Sequence, residues 1–333
     1  MIPRRRILPI FVPHAGCPND CVFCNQKRIS GSLTPADGRV VCHALTALPP
    51  GTGMELAFYG GSFTAIDVGM QTELLEAAQQ GFTDGRIVSI RVSTRPDAIT
   101  LPILQRLRRY GVETIELGAQ SLCDDVLLQS GRGHTREDVI AASRLIKAEG
   151  FALVLQMMTG LPGDTPERSE QTAWEIIALQ PDAVRIYPTV VVRDTALEEL
   201  WRKGIYKEHT VEEAVSLCAR LLPLFEEKGI PVIRLGLNPS EELSGGAAVA
   251  GAYHPAFGEL VRSRILLAKA EAHLTPEDKG ADITVYVAPN RVSAMVGQKR
   301  CNLVALGERY SLAGIRVLPD AALQGDTISL LRK

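Results

Sequence analysis

The chain has 333 residues, 46% of them hydrophobic and 22% charged, which is typical of a globular protein with a sizeable buried core. Its formal net charge of −2 excludes a protein-wide basic field, so any RNA contact has to come from a local patch. No apolar stretch reaches the roughly 18 residues that a membrane helix needs. The arginines near the start precede only a short apolar run, interrupted by Pro9 and Pro13, which indicates a strand rather than a signal peptide. We therefore expect a cytoplasmic protein without a membrane partner.

Short apolar, β-rich segments alternate with helical segments over the first two thirds of the chain. The predicted strands are 7–12, 54–60, 87–93, 114–120, 152–158, 183–191 and 231–237. Gly111, Gly150 and Gly229 stand where the intervening helices should end. Strands separated by helices build βαβ units, so the sequence predicts an α/β fold with a parallel sheet. Six or seven such units favour a barrel, complete or partial, and an open doubly wound sheet is the alternative.

The pattern changes after the last of these strands. Segment 238–255 is rich in Gly, Ala and Ser and is predicted to be a long loop, and a helix follows at 259–274. The remainder indicates a strand, two helices flanking a Val-Gly-Gln-Lys-Arg segment, and further strands. The predicted organisation is a barrel domain, a connector of loop and helix, and a small α+β domain, with boundaries at 1–237, 238–280 and 281–333.

Three of the seven cysteines lie within eight residues, at Cys17, Cys21 and Cys24. The other four stand singly in apolar surroundings, which is typical of small core residues and not of a disulfide framework. The Cys-x3-Cys-x2-Cys spacing, with Phe23 before the last cysteine, suits three irons of a cubane iron–sulfur cluster and leaves the fourth iron open. Two alternatives remain: His14 completes a Cys3His zinc site, and the last two cysteines form a thioredoxin-like Cys-x-x-Cys.

Motifs that follow successive strands together resemble the radical S-adenosylmethionine (SAM) superfamily. The cysteine motif follows the first predicted strand; Gly60, Gly61 and Ser62 follow the second, matching the glycine motif that receives the methionine amino group. The likeness covers residues 1–237 and continues through STRPD, ELGAQS, SGRGHT, MMTGLPGDT and RIYPTVV. These motifs are similar to those of the Elongator catalytic subunit and of oxygen-independent coproporphyrinogen oxidase. The resemblance implies a partial (β/α)6-type TIM barrel, with the three cysteines holding a [4Fe-4S] cluster and Phe23 and the glycine motif beside bound SAM.

The same resemblance implies further contacts to SAM. Gln120 and Arg132 match positions that contact this ligand in the coproporphyrinogen oxidases, and Gln156 stands where those enzymes have an acidic residue. Arg95 is a further candidate for the ligand carboxylate, because a guanidinium can bind a carboxylate bidentately. Alternation along the fourth strand places Glu116 on the face of Gln120, where a bound zwitterion and ribose would supply the polar partners that both need.

Three parts of the chain supply candidate substrate or RNA contacts, namely Arg185, Tyr187, His254, Gly297, Lys299 and Arg300. The first two alternate onto one face of the sixth strand, and the histidine lies in the glycine-rich segment as a candidate to cap the cavity. The last three resemble the GxxG loop of a KH-type RNA-binding module, although an arginine replaces the second glycine. The added positive charge there predicts an RNA contact.

The resemblance implies that a one-electron donor of the flavodoxin or ferredoxin type reduces the cluster. SAM is then cleaved to methionine and a 5′-deoxyadenosyl radical, which abstracts hydrogen from a substrate. The Elongator-like subfamily modifies wobble uridines of tRNA with an added acetyltransferase domain, for which we find no acyl-CoA motif. A tRNA nucleoside is therefore the leading substrate. The alternatives are a small molecule, as in the coproporphyrinogen oxidases, and a non-catalytic RNA-binding protein with a Cys3His zinc site. No oligomeric state is predicted.

Overall fold

The computed structural model describes residues 5–12, 17, 21–25 and 36–333. The chain divides into two compact units, each made of two segments. The first unit consists of Met1–Thr210 and Pro223–Pro255, and the second of Val211–Leu222 and Ala256–Lys333. Within the described ranges, none of the helices combines the length and the apolar character that a membrane crossing requires.

A seven-stranded, all-parallel sheet is the centre of the first unit. Its described strands, with a separate short pair, are β1 (Ile7–Phe11), β2 (Met54–Tyr59), β3 (Ile87–Thr94), β4 (Val112–Gln120), β5 (Ala152–Thr159), β6 (Ala183–Pro188), β7 (Val190–Val192), β8 (Val232–Leu235) and β9 (Ala248–Gly251). The order is β1-β2-β3-β4-β5-β6-β8, with every neighbouring pair parallel. Because the order follows the chain and never reverses, the sheet is a partial TIM barrel and not a doubly wound sheet, which confirms the predicted fold class.

Helices follow most of these strands and begin and end at residues suited to those positions. They are α1 (Gly38–Thr46), α2 (Val68–Thr83), α3 (Leu101–Arg109), α4 (Asp124–Gln129), α5 (Arg136–Ala148), α6 (Pro166–Ala178), α7 (Ala196–Arg202) and α8 (Val211–Glu227), of which Val211–Leu222 is assigned to the second unit. The Thr135 hydroxyl caps α5 by accepting from the Asp138 backbone N–H at 3.2 Å. Gly111, Gly150 and Gly229 all have positive φ just past a helix end, as predicted.

Two sequence predictions around the barrel rim are wrong. The strand predicted over 183–191 is two strands, since β6 ends at Pro188 and β7 leaves the barrel sheet. Segment 238–255 is not one long loop: it contains a helical turn over Leu243–Ala247 and strand β9, which pairs antiparallel with β7. Ala and Gly have low strand propensity, and the partner strand lies far earlier in the chain, so the local pattern carried no sign of this pairing.

The second unit has a three-stranded sheet packed against helices. Its elements are α9 (Phe257–His273), β10 (Asp282–Val287), α10 (Val292–Val296), α11 (Cys301–Tyr310), β11 (Gly314–Pro319) and β12 (Ile328–Arg332). The central β10 pairs parallel with β11 and antiparallel with β12. Helix α9, which falls in the predicted connector, contributes Leu266 and Ala270 to the buried core of this unit. The three-part division into 1–237, 238–280 and 281–333 stays a prediction.

Candidate functional site

A cavity of about 590 Å³ opens within the first unit and is lined by residues from β1 to β8 and from the segments that follow them. Because the strands are parallel, their carboxyl ends meet at one edge, where barrel proteins bind ligands. The lining includes every residue predicted for the cluster, for SAM and for the barrel side of the substrate: Cys17, Cys21, Phe23, Cys24, Gly60, Gly61, Ser62, Arg95, Gln120, Arg132, Gln156, Arg185 and Tyr187. The structure thus brings these residues together, and their individual roles stay predictions.

The cysteine motif contacts two of the other predicted motifs directly. The Sγ of Cys17 lies 3.4 Å from the Oγ of Ser62, which ends the glycine motif. Arg132 Nη1 donates to the Sγ of Cys21 at 3.2 Å, and the backbone N–H of Cys24 donates to the Cys21 carbonyl at 2.9 Å. Residues more than 40 positions apart therefore converge on the sulfur atoms.

The donor set of the cysteine motif fits a cubane cluster. Cys17, Cys21 and Cys24 all line one cavity, and three thiolates can each bind a different iron of a cubane. His14, the fourth ligand of the zinc alternative, lies outside the described residues.

The end of strand β4 forms a cradle next to the cysteines. The Gly118 carbonyl accepts from Arg132 Nη2 at 2.8 Å, and the Gln120 Oε1 accepts from Gln156 Nε2 at 3.2 Å. A Cβ on Gly118 would lie 2.9 Å from Gln120 Nε2 and 3.3 Å from Arg132 Nη2, so glycine leaves room for both side chains. Gln120 has a φ of 62°, a strained conformation for a residue other than glycine that is typical of functional sites.

Arg95 lines the cavity but is engaged by the protein. Its side chain is 3% exposed and forms an ion pair with Asp97 through Nε. Its Nη2 donates to the backbone carbonyl of Arg132 at 2.8 Å. The contact fixes the backbone of Arg132, and a role for Arg95 in binding the ligand carboxylate stays a prediction.

A buried ion-pair network crosses the interior of the barrel. Arg91 pairs with Glu55 at 2.8 Å and with Glu116 at 2.6 Å, and Arg185 pairs with Glu116 at 2.8 Å. The four side chains are 3–10% exposed. The protein itself therefore supplies the partners of Glu116, and the expectation that a ligand would supply them is wrong. Glu55 and Arg91 were not predicted from the sequence. Each is a single charged residue inside an otherwise apolar strand, and this could have indicated a buried ion pair.

Two tyrosine hydroxyls contact Arg185, the member of this network that lines the cavity together with Glu116. Arg185 Nη2 donates to the Tyr59 hydroxyl at 3.1 Å and Nη1 to the Tyr187 hydroxyl at 3.4 Å. Burial raises the pKa of both tyrosines, so both keep their protons at neutral pH. Burial opposes the charge on Arg185, but Glu116, Tyr187 and Tyr59 together outweigh burial and raise the pKa of Arg185. The result is a fixed cation framed by two neutral hydroxyls.

The remaining predicted contacts lie elsewhere. His254 is not among the described residues that line the cavity. Gly297, Lys299 and Arg300 belong to the second unit, in the turn between α10 and α11, and all three have positive φ. Buried Asn302 holds this turn, because its Nδ2 donates to the carbonyls that end α10 at 3.2 and 3.1 Å. Both basic side chains are exposed, and their RNA contact stays a prediction.

Two family models match the chain, the Radical SAM superfamily over residues 11–173 and the Radical_SAM C-terminal domain over residues 181–266. The chain belongs to the radical SAM superfamily. It is accordingly a radical SAM enzyme, and its cofactors are a [4Fe-4S] cluster and SAM.

The curated relatives include tRNA-modifying proteins. The chain is 32% identical over 190 residues to the tRNA uridine(34) acetyltransferase of Methanocaldococcus jannaschii, covering 51% of this chain and 35% of that protein. It is 37% identical over 142 residues to human Elongator complex protein 3, covering 42% of this chain and 26% of that protein. The chain thus spans about a third or less of the length of these relatives.

Solved structures show the same fold. Elp3 of Methanocaldococcus infernus, with an N-terminal deletion, matches with a TM-score of 0.63 and 23% identity over 80% of this chain and 63% of that one. Coproporphyrinogen III oxidase of Escherichia coli, a radical SAM enzyme, matches with a TM-score of 0.52 and 18% identity over 68% of this chain and 54% of that one.

Proposed function

We propose that this chain cleaves SAM reductively and abstracts hydrogen from a nucleoside of RNA, most directly of tRNA. The observation that carries the proposal is the convergence of three thiols, the glycine motif and Arg132 on one cavity, with contacts of 3.4 Å from Cys17 to Ser62 and 3.2 Å from Arg132 to Cys21. These contacts join the groups that would hold a cluster to the groups that would hold the ligand of its open iron.

The proposed roles of the cavity residues follow from the chemistry of their side chains and backbone. Cys17, Cys21 and Cys24 would bind three irons, and the backbone of Gly60 and Gly61 would receive the methionine amino group. Arg132 would offer a positive charge to the ligand carboxylate, while Gln120 and Gln156, already in contact with each other, would bind the ribose. When bound, the cluster and SAM supply one-electron cleavage of the sulfonium and a 5′-deoxyadenosyl radical.

RNA as the substrate is supported by two independent features. The relatives named above are a tRNA uridine(34) acetyltransferase and an Elongator subunit. In addition, Lys299 and Arg300 are exposed next to each other in the turn of the second unit. Acetyl transfer is not part of the proposal, because the matched region spans only 35% and 26% of those two proteins. The electron donor would be a protein of the flavodoxin or ferredoxin type.

The test of the radical reaction is anaerobic reconstitution with iron and sulfide, reduction in the presence of SAM, and assay of 5′-deoxyadenosine. We expect the wild type to form this product and Cys24→Ala to lose it, because a cluster with two protein ligands does not assemble stably. The matched control is Cys301→Ala, since Cys301 is an exposed cysteine of the second unit. Retention of full cleavage by Cys24→Ala, or one tightly held zinc without a cluster, would contradict the proposal.

The substrate is tested by the origin of the abstracted hydrogen. The reaction is run with tRNA from cells grown in deuterated water, and the 5′-deoxyadenosine is analysed by mass spectrometry. We expect deuterium in the product. Formation of unlabelled 5′-deoxyadenosine alone would keep the radical chemistry but reject RNA as the hydrogen donor.

A further inference from the structure

Two arginines stand side by side at the end of the barrel sheet that lies farthest from the cysteines in strand order. Arg185 on β6 and Arg234 on β8 are direct partners in the parallel register, and both line the cavity. The cysteine motif follows β1, at the other end of the order. Neither arginine is among the residues assigned above to the cluster and to SAM, and Arg185 is the register partner of Gln156 on β5.

The positive charge of Arg234 is not neutralised by a side chain of the described residues. Glu116 is the one acidic residue among the described residues that line the cavity, and it already pairs with Arg91 and Arg185. Arg234 forms no ion pair with a described carboxylate, although it stands next to the cation of Arg185.

Each arginine of this pair also has a buried hydrogen-bond donor without an acceptor among the described residues. The Nε atoms of Arg185 and Arg234 are buried and have no hydrogen-bond partner among the described residues. A buried donor without an acceptor costs free energy, and the cost is higher for a charged group. Two cationic donors that face a cavity therefore indicate an anionic acceptor in that cavity.

We propose that Arg185 and Arg234 bind a phosphate group next to the target nucleoside of the substrate. The guanidinium fork of Arg234 can bind phosphate oxygens bidentately. Arg185 can add its Nε as a further donor, since its Nη atoms already donate to Glu116 and the two tyrosines. Tyr59 and Tyr187 line the same part of the cavity, and their rings offer an apolar surface to a base or ribose. The proposal deepens the proposed function, because it rests on a nucleoside of RNA as the substrate.

The test measures binding of uridine and of uridine 5′-monophosphate to the reconstituted full chain in the presence of SAM, by isothermal titration calorimetry. We expect the monophosphate to bind about tenfold tighter, as one charge-assisted contact of this kind provides. Arg234→Gln should abolish this preference and Arg234→Lys should keep part of it. Inorganic phosphate, but not acetate, should compete with the monophosphate.

The control is Arg39→Gln, which removes one positive charge from a side chain that is 94% exposed in the first unit. It should leave the preference for the monophosphate unchanged. Equal binding of the two ligands by the wild type, an undiminished preference in Arg234→Gln, or competition by acetate as strong as by phosphate would each overturn the phosphate site. The wild-type assay for 5′-deoxyadenosine reports separately on the proposed function, so the two failures are distinguishable.

Discussion

Glu116 joins the two halves of the buried ion-pair network, since it accepts from both Arg91 and Arg185. An ion pair of this kind is weak support for stability as a whole, because bringing the charges out of water offsets most of the attraction. Removing one partner is different, since the other charge then remains buried without compensation.

We therefore predict that Glu116→Gln lowers the free energy of unfolding by about 3 kcal/mol or more, because it leaves buried Arg185 without a carboxylate partner and Arg91 with Glu55 alone. Urea denaturation followed by circular dichroism measures the change. The control is Glu199→Gln, which breaks the pair with Lys203, whose two side chains are 74% and 64% exposed, and should cost at most about 1 kcal/mol. Similar losses in the two variants would show that the network contributes no more than a surface pair.

Strand β4 shows how a single element prepares the ligand site. Its last residues bring together a glycine whose carbonyl holds Arg132 and a glutamine held by Gln156. Gly118 has to lack a side chain, because the space that a Cβ would fill is occupied by the ends of Gln120 and Arg132.

We predict that Gly118→Ala weakens SAM binding about tenfold while the fold is kept, because the new methyl group displaces both side chains by a few tenths of an ångström or more. Equilibrium dialysis of SAM with the reconstituted protein measures the effect. Gly307→Ala is the matched control: Gly307 lies in helix α11 and a Cβ there meets no atom within 4 Å. Unchanged affinity in Gly118→Ala would remove Gln120 and Arg132 from the SAM site.

Elements that rest on local patterns were predictable from the sequence. The barrel strands, their helices and the helix ends at Gly111, Gly150 and Gly229 follow from periodicity and backbone freedom. The motif residues could be gathered at one edge because parallel strands bring their ends together. The β7–β9 pair, the Arg91–Glu116 contact and the position of Arg234 beside Arg185 depend on register and on strands far apart in sequence, which no local pattern encodes.

At the scale of the whole molecule, the net charge of −2 provides no overall attraction to RNA, so any RNA contact has to come from a local basic surface. The turn with Lys299 and Arg300 is our candidate for such a surface, and it is held in place by buried Asn302. Its two adjacent charges would neutralise phosphates and release their counterions.

We predict that the double variant Lys299→Glu and Arg300→Glu weakens tRNA binding and flattens the dependence of affinity on salt, by roughly 0.7 in the log–log slope per lost contact to single-stranded RNA. Filter binding over a range of salt concentrations measures both quantities. Lys279→Glu with Lys333→Glu is the control, because it changes the net charge equally at two other exposed positions of the second unit. An equal loss in the control would assign the effect to overall charge, and no loss in either variant would remove the KH-like interpretation.

The interleaving of the two units along the chain has a consequence for protein synthesis. Val211–Leu222 belongs to the second unit, but the ribosome makes it before Pro223–Pro255, which completes the first. Domains fold as units during synthesis, so the barrel can close only after β8 emerges, while the earlier segment waits for residues 256–333. That segment carries Leu217 and Leu221, which are buried in the finished protein. The nascent chain therefore passes through a stage at which it is vulnerable to aggregation and open to chaperones.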